Sequence, residues 1–129
     1  MAYPANYRYT REHEWIAVDG AIGSIGITDY AQKSLGDIVY VDVPKVGDPV
    51  TAGVAFGSVE SVKAVSDLFS PVTGAVTAVN EVLKSSPDKI NEAPHDAWII
   101  KVEIADPSQL NALLDAAAYE AFVSEETGE

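Results

Sequence analysis

Residues 57–67, which read GSVESVKAVSD, decide how the chain folds. Valines are interspersed here with small and charged residues, and β-branched side chains favour extended backbone. No Gly, Pro or Asn stands at Lys63 to mark a turn. The pattern therefore predicts one strand that runs through Lys63, with the lysine on a solvated face.

Short strands separated by turns continue this pattern in both directions. Residues 14–18 lead into Asp19-Gly20, a pair typical of a tight hairpin. In residues 97–104, apolar side chains recur at every second position, as they do in a half-buried strand. Further extended stretches cover residues 21–27, 37–43, 54–62, 64–69 and 74–82. The chain is therefore predicted to be mainly β.

Two segments are predicted to be helical. Thr28 can cap a short helix near residues 28–35, and Gly36 can end it. After Asp106-Pro107-Ser108, leucines and alanines follow a helical period that one helix or two would satisfy. We expect a single domain over residues 1–129, divided into a body at about 9–105, a C-terminal helical appendage at about 107–124 and a frayed polar tail at 125–129.

Composition excludes several classes of function. The chain has 20 acidic and 8 basic residues, and its net charge of −12 would repel a nucleic-acid backbone. No apolar run approaches the roughly 20 residues of a membrane span. The chain contains no cysteine, which excludes disulfides and thiolate chemistry. Because no basic or apolar leader follows Met1, we expect the bacterial cytoplasm, with a mature mitochondrial protein as the less favoured alternative. The acidic charge favours a monomer.

The side chains that usually carry chemistry lack the spacing that such chemistry requires. His13 and His95 are not spaced as metal ligands, and we expect His95 to be solvated in a polar loop. No serine occupies a Gly-x-Ser-x-Gly elbow, and no glycine-rich phosphate loop opens a helix. Trp15 and Trp98 are expected to be core residues. We therefore predict neither a catalytic residue nor a metal site.

A family resemblance gives residues 57–67 a function. The segment resembles the lipoylation segment of the H proteins of the glycine cleavage system, which has Glu-Ser before the modified lysine and a small residue after it. Further segments resemble H-protein segments in the same order: HEW at 13–15, GITDYAQ at 26–32, LGDIV at 35–39, SPVTG at 70–74, VN at 79–80 and WI at 98–99. The resemblance extends from about Tyr9 to Phe122, which is nearly the whole chain.

This resemblance implies a fold and a cofactor. The fold would be a flattened β-barrel, or barrel–sandwich hybrid, of two antiparallel sheets, with Lys63 exposed at the tip of a tight hairpin. Lipoate would be joined to the Lys63 amine by an amide bond, and its two sulfurs would supply the chemistry. The chain would then be a carrier without catalytic activity of its own.

The resemblance also implies a set of partners. Glycine decarboxylase would transfer an aminomethyl group to the arm, and aminomethyltransferase would pass the carbon to tetrahydrofolate. Dihydrolipoamide dehydrogenase would reoxidise the dithiol. A lipoylating enzyme would recognise the hairpin through Glu60 and Ser61. The chain would visit these enzymes in turn and catalyse none of their steps.

Three further residues match family positions near the loaded arm. Glu14 and Asp67 could bind the cationic amine of the cargo through charge-assisted hydrogen bonds. Glu14 could equally point into solvent, and the sequence leaves both readings open. Ser34 stands where many relatives have His, so a contact of that imidazole with the arm would be weaker here.

The alternative functions differ in the group that would be attached to Lys63, or in the absence of any modification. A biotinyl domain would flank it with methionines, whereas Val62 and Ala64 flank it here. Lipoyl domains of 2-oxo acid dehydrogenases have Asp-Lys-Ala and lack the C-terminal helices. A binding module that is never lipoylated, and an H-like protein that relays lipoyl groups to other carriers through Lys63, stay open. An enzyme with its own catalytic residues is the least favoured reading.

Overall fold

The structure is a computed structural model that describes residues 3–127. Its strands are β1 (Arg8–Tyr9), β2 (Glu14–Asp19), β3 (Ile22–Ile27), β4 (Ile38–Asp42), β5 (Pro49–Val50), β6 (Ala55–Ser61), β7 (Val65–Phe69), β8 (Gly74–Val79) and β9 (Ile100–Ile104). Its α-helices are α1 (Asp29–Leu35), α2 (Val82–Ser85), α3 (Lys89–Glu92) and α4 (Ala116–Thr127), and a 3₁₀ helix spans Pro107–Ala112.

The strands form two antiparallel sheets, as expected. One sheet has six strands in the order β1-β2-β3-β9-β8-β5, and the other has three in the order β4-β6-β7. Ile16 and Ile25 of the larger sheet share one buried cluster with Val59 and Leu68 of the smaller sheet. Over residues 3–127 the two sheets do not close into a barrel, so the fold is a flattened sandwich around one apolar core.

The predicted helix near residues 28–35 is confirmed. The Thr28 hydroxyl accepts a hydrogen bond from the Ala31 backbone N–H at 3.2 Å and caps α1. Gly36 ends the helix at φ 83° and ψ −157°, a backbone conformation that essentially only glycine adopts. Within residues 3–127, no helix is both long and apolar enough to cross a membrane.

Two short helices were not predicted. Helix α2 begins at Val82, where the predicted extended stretch 74–82 ends, and α3 follows at Lys89. Each has four residues, which is too short to display a helical period. Leu83 and Ile90 anchor them in the main core.

The C-terminal segment differs in part from the prediction. The 3₁₀ helix and α4 are separated by a short extended stretch, in which Leu114 exchanges two backbone hydrogen bonds with Tyr9 at 2.8 and 2.9 Å. Helix α4 continues to Thr127, so the expected polar tail is wrong for residues 125–127, while Gly128 and Glu129 lie outside the described residues. One reason is that Glu126 is held 3.0 Å from Nε2 of His13.

Helix α4 is anchored by an aromatic cluster distinct from the main core. Tyr9, Trp15 and Tyr119 are buried there, and the rings of Tyr9 and Tyr119 stack at 4.7 Å. The indole N–H of Trp15 donates to the carbonyls of Ile27 and Pro94. This confirms Trp15 as a core residue, whereas Trp98 is half-buried at the margin of the cluster.

The Tyr119 hydroxyl connects α4 to α1. It lies 2.8 Å from the Thr28 hydroxyl that caps α1 and 2.8 Å from Nδ1 of His13. Tyr119 is 0% exposed, so its hydroxyl has no access to water as an alternative partner. The C-terminal helix is therefore tied to the start of the helix that approaches Lys63.

We expect Tyr119→Phe to lower the free energy of unfolding by about 1–3 kcal/mol, because the groups left without a buried partner cannot be solvated. Chemical denaturation measures the change. Tyr40→Phe is the matched control, since Tyr40 is 57% exposed and should change stability little. Equal stability of the two variants would contradict the anchoring role of Tyr119.

Candidate functional site

Lys63 occupies the tip of a tight hairpin. Strand β6 ends at Ser61 and β7 begins at Val65, and the two strands pair in antiparallel register with Glu60 opposite Val65. The prediction of one strand running through Lys63 is therefore wrong. The hairpin tip that the family resemblance implied is present.

Ser61 makes the turn. Its backbone N–H donates to the Ala64 carbonyl at 2.8 Å, and its hydroxyl oxygen accepts from the N–H groups of Lys63 and Ala64 at 3.3 and 3.0 Å. A serine side chain thus satisfies backbone groups that a glycine turn would leave to water. The serine two residues before the lysine was the available sequence signal for this turn.

The side chain of Lys63 is exposed but leaves the tip beside the end of α1. A Cβ atom added at Gly36 would lie 3.4 Å from Cε of Lys63 and 4.0 Å from Nζ. The adjacent backbone is also fixed, since the Val62 N–H donates to the Asp37 carbonyl at 3.0 Å. The end of the Lys63 side chain therefore lies beside the loop that follows α1, and the residue as a whole is exposed to solvent.

The other predicted site residues, on the hairpin and on α1, are exposed except for Ser61. Glu60 and Asp67 are exposed, and Asp67 lies on β7 opposite Ser58. Ser61 is 6% exposed and engaged within the turn, so it shapes the hairpin more than its surface. Ser34 is exposed in the last turn of α1, two residues before Gly36.

Glu14 does not point into solvent, which removes one of its two readings. It is 1% exposed, and its carboxylate accepts from the Thr10 hydroxyl at 2.6 Å and from the Phe69 N–H at 3.3 Å. Phe69 ends β7 at the strand end opposite Lys63, about 13 Å from Val65 at the usual strand rise. Burial raises the pKa of Glu14 from 4.5 to about 7.

Both histidines have structural partners. His95 was expected to be solvated, but it is half-buried, and its Nε2 accepts from the Asp29 N–H at 3.2 Å. His13 contacts Tyr119 and Glu126, as described above. Burial lowers the pKa of both imidazoles and so favours their neutral form. Among the described residues, no group of three or more potential ligands is arranged to hold a metal ion.

Comparison with known proteins agrees with this geometry. A family profile described as "Glycine cleavage H-protein" matches residues 7–126. The chain belongs to the glycine cleavage H-protein family. This membership supports a role as a lipoyl carrier in glycine cleavage, without catalysis by the H protein itself.

Bacterial relatives resemble this chain over nearly its whole length. Proteins named "Glycine cleavage system H protein" are 68% identical in Acidobacterium capsulatum and 63% identical in Koribacter versatilis, each over 99% of this chain and 99% of the relative. The crystal structure of a glycine cleavage system H protein from Mycobacterium marinum matches with a TM-score of 0.82 at 35% identity, over 98% of this chain and 100% of the other. The similarity therefore includes the C-terminal helix as well as the β body.

The buried carboxyl of Glu14 predicts a stability that falls as pH rises. The folded chain holds this proton more tightly than the unfolded chain, so the stabilisation is full below pH 4.5 and is lost as pH rises through about 7. The loss amounts to about 3 kcal/mol. We expect the stability of wild type relative to Glu14→Gln, measured by urea denaturation, to decrease between pH 5 and pH 8.

Glu103→Gln is the control for this measurement, because Glu103 is an exposed carboxylate on another strand. Its stability relative to wild type should change little over the same range. A pH-independent difference between wild type and Glu14→Gln would show that Glu14 is already ionised throughout.

Proposed function

We propose that Lys63 carries lipoate in amide linkage and that this chain transports the aminomethyl group of glycine from glycine decarboxylase to aminomethyltransferase. Dihydrolipoamide dehydrogenase would then restore the disulfide. The single observation that carries the proposal is the exposed amine of Lys63 at the tip of a fixed hairpin, in a chain of the glycine cleavage H-protein family.

The surroundings of Lys63 suit a covalent attachment point. None of the ion pairs among residues 3–127 involves Lys63, so a modifying enzyme would have no such contact to break. The turn made by Ser61 and the bond from Val62 to Asp37 hold the backbone on either side. A long arm on a rigid base keeps its reach while the body stays folded.

The lipoyl group would supply a disulfide that can be reduced and reoxidised, and a thiol that can carry the one-carbon unit. The residues of this chain would attach, orient and shelter that group. Amide formation would also remove the Lys63 cation and make the net charge more negative than −12. Exposed Glu60 beside the tip would contribute to recognition by the lipoylating enzyme.

The open edge of β7 offers a path for a docked arm. Strand β7 lies at the edge of the smaller sheet, with the hairpin tip at one end and Phe69 at the other. Asp67 lies between these ends, and Glu14 is bonded to the N–H of Phe69. We propose that the arm extends along this edge, with its cationic amine received by Glu14 and Asp67 and with Ser34 near its base.

The carboxyl of Glu14 suits a cationic cargo. Its two oxygens accept two hydrogen bonds at the side chain, which leaves acceptor capacity unused. With a pKa of about 7, Glu14 is only partly ionised at neutral pH, and an approaching ammonium group would favour the ionised form. Binding of the cargo would thereby relieve part of the cost of burying this carboxylate.

Intact mass tests the attachment. After expression with lipoate in a lipoylation-competent host, the wild-type protein should gain one lipoyl-sized increment, and Lys63→Arg should gain none. Lys84→Arg is the control, since it removes another exposed lysine and should be modified like wild type. An unmodified wild-type protein would contradict the carrier proposal and favour a binding module that is never lipoylated.

The rate at which the isolated carrier loses its aminomethyl group tests whether Glu14 binds the docked arm. Glu14→Gln should speed loss of the aminomethyl group from the isolated carrier, because a neutral amide binds an ammonium group more weakly than a carboxylate does. Ammonia release reports the rate. The exposed-site control Glu103→Gln should lose its cargo as slowly as wild type. If Glu14→Gln also loses its cargo that slowly, Glu14 does not hold the arm.

A further inference from the structure

The loop between α1 and β4 touches the hairpin at two places. We call this loop, together with the first residue of β4, the bracket loop (residues 36–38). Asp37 accepts the hydrogen bond of the Val62 N–H at 3.0 Å. Gly36 leaves space for the Lys63 side chain, whose Cε would lie 3.4 Å from a Cβ at that position. The position of this loop therefore affects both the backbone beside Lys63 and the path of its side chain.

The side chain of Asn91 binds the bracket loop through two hydrogen bonds. Asn91 belongs to α3, the short helix whose Ile90 is fully buried in the core. Its Oδ1 accepts from the Ile38 N–H at 2.9 Å, and its Nδ2 donates to the Gly36 carbonyl at 2.9 Å. Asn91 thus binds the first and the last residue of the loop.

A third hydrogen bond extends the bracket to α1. The Asn91 Nδ2 also donates to Oε1 of Gln32 at 2.9 Å, and Gln32 in turn donates from Nε2 to Oδ1 of Asp29. The orientation of the Asn91 amide is fixed by its partners, since the Ile38 N–H can only donate and the Gly36 carbonyl can only accept. If the amide were reversed, Nδ2 would face the Ile38 N–H, another donor, and Oδ1 would face the Gly36 carbonyl, another acceptor.

We propose that Asn91 is a positioning residue for the lipoyl arm. By fixing the bracket loop, it sets the direction in which Lys63 leaves the body and keeps the base of the arm beside α1. This inference rests on the proposed attachment at Lys63, because a lysine that is never modified would need no fixed direction. A purely structural Asn91 would stabilise α1 and α3 without affecting the tip.

The main test replaces Asn91 with an isosteric acid. Asn91→Asp retains an acceptor for the Ile38 N–H but turns a carboxylate oxygen toward the Gly36 carbonyl and Oε1 of Gln32. We expect hydrogen exchange of the Val62 amide, followed by NMR, to become about tenfold faster as the bracket loop loosens. We also expect the KM of the lipoylating enzyme for this carrier to rise severalfold with little change in kcat, because fewer hairpins present the lysine correctly.

Asn80→Asp is the matched control. Asn80 likewise donates from Nδ2 to a backbone carbonyl, that of Trp98 at 2.8 Å, but its hydrogen bonds do not involve the bracket loop. This variant should leave Val62 exchange and the KM close to wild type. If Asn91→Asp does not fold, Asn91→Ala removes the same donors without adding a charge and takes its place.

The outcomes separate this inference from the proposed function. A wild-type protein that gains no lipoyl increment would defeat the carrier proposal itself. If the wild type is lipoylated but Asn91→Asp leaves Val62 exchange and KM unchanged, only the inference about Asn91 fails. It also fails if Asn80→Asp changes both quantities equally, since the effect would then follow general destabilisation.

Discussion

The structure around Lys63 depends on one side-chain turn. The hydroxyl of Ser61 accepts hydrogen bonds from the N–H groups of Lys63 and Ala64, and this closes the β6–β7 hairpin without a glycine. The turn contains no residue with positive φ, and it leaves the lysine at the end of the three-stranded sheet. The proposed carrier function needs this combination of an accessible amine and an immobile base.

A chain of contacts links the hairpin to the C-terminal helix α4. Tyr119 of α4 reaches the cap of α1 at Thr28, and α1 runs to Gly36 at the side chain of Lys63. Asn91 fastens the far end of the same helix. A helix with its N-cap residue tied to α4 and its C-cap residue tied to α3 can support the attachment point, although helices make up little of the body.

Much of the fold could be predicted from local pattern, because strands such as β2 and β9 and the cap at Thr28 depend on neighbouring residues. The turn at Lys63 could not, since it uses a serine side chain in place of a turn-forming residue. Burial of Glu14 was equally hidden, because Phe69 lies 55 positions away in the other sheet. In the C-terminal segment, helical periodicity did not reveal the break at which Leu114 pairs with Tyr9.

The assignment of Lys63 came from family resemblance, and the structure adds the physical means by which this lysine is presented. Peptide-level mass spectrometry of the protein from a lipoylation-competent host tests that assignment most directly. We expect a lipoyl group on Lys63 and none on the other lysines, at positions 33, 45, 84, 89 and 101. An unmodified Lys63, or a lipoyl group located on another lysine, would contradict it.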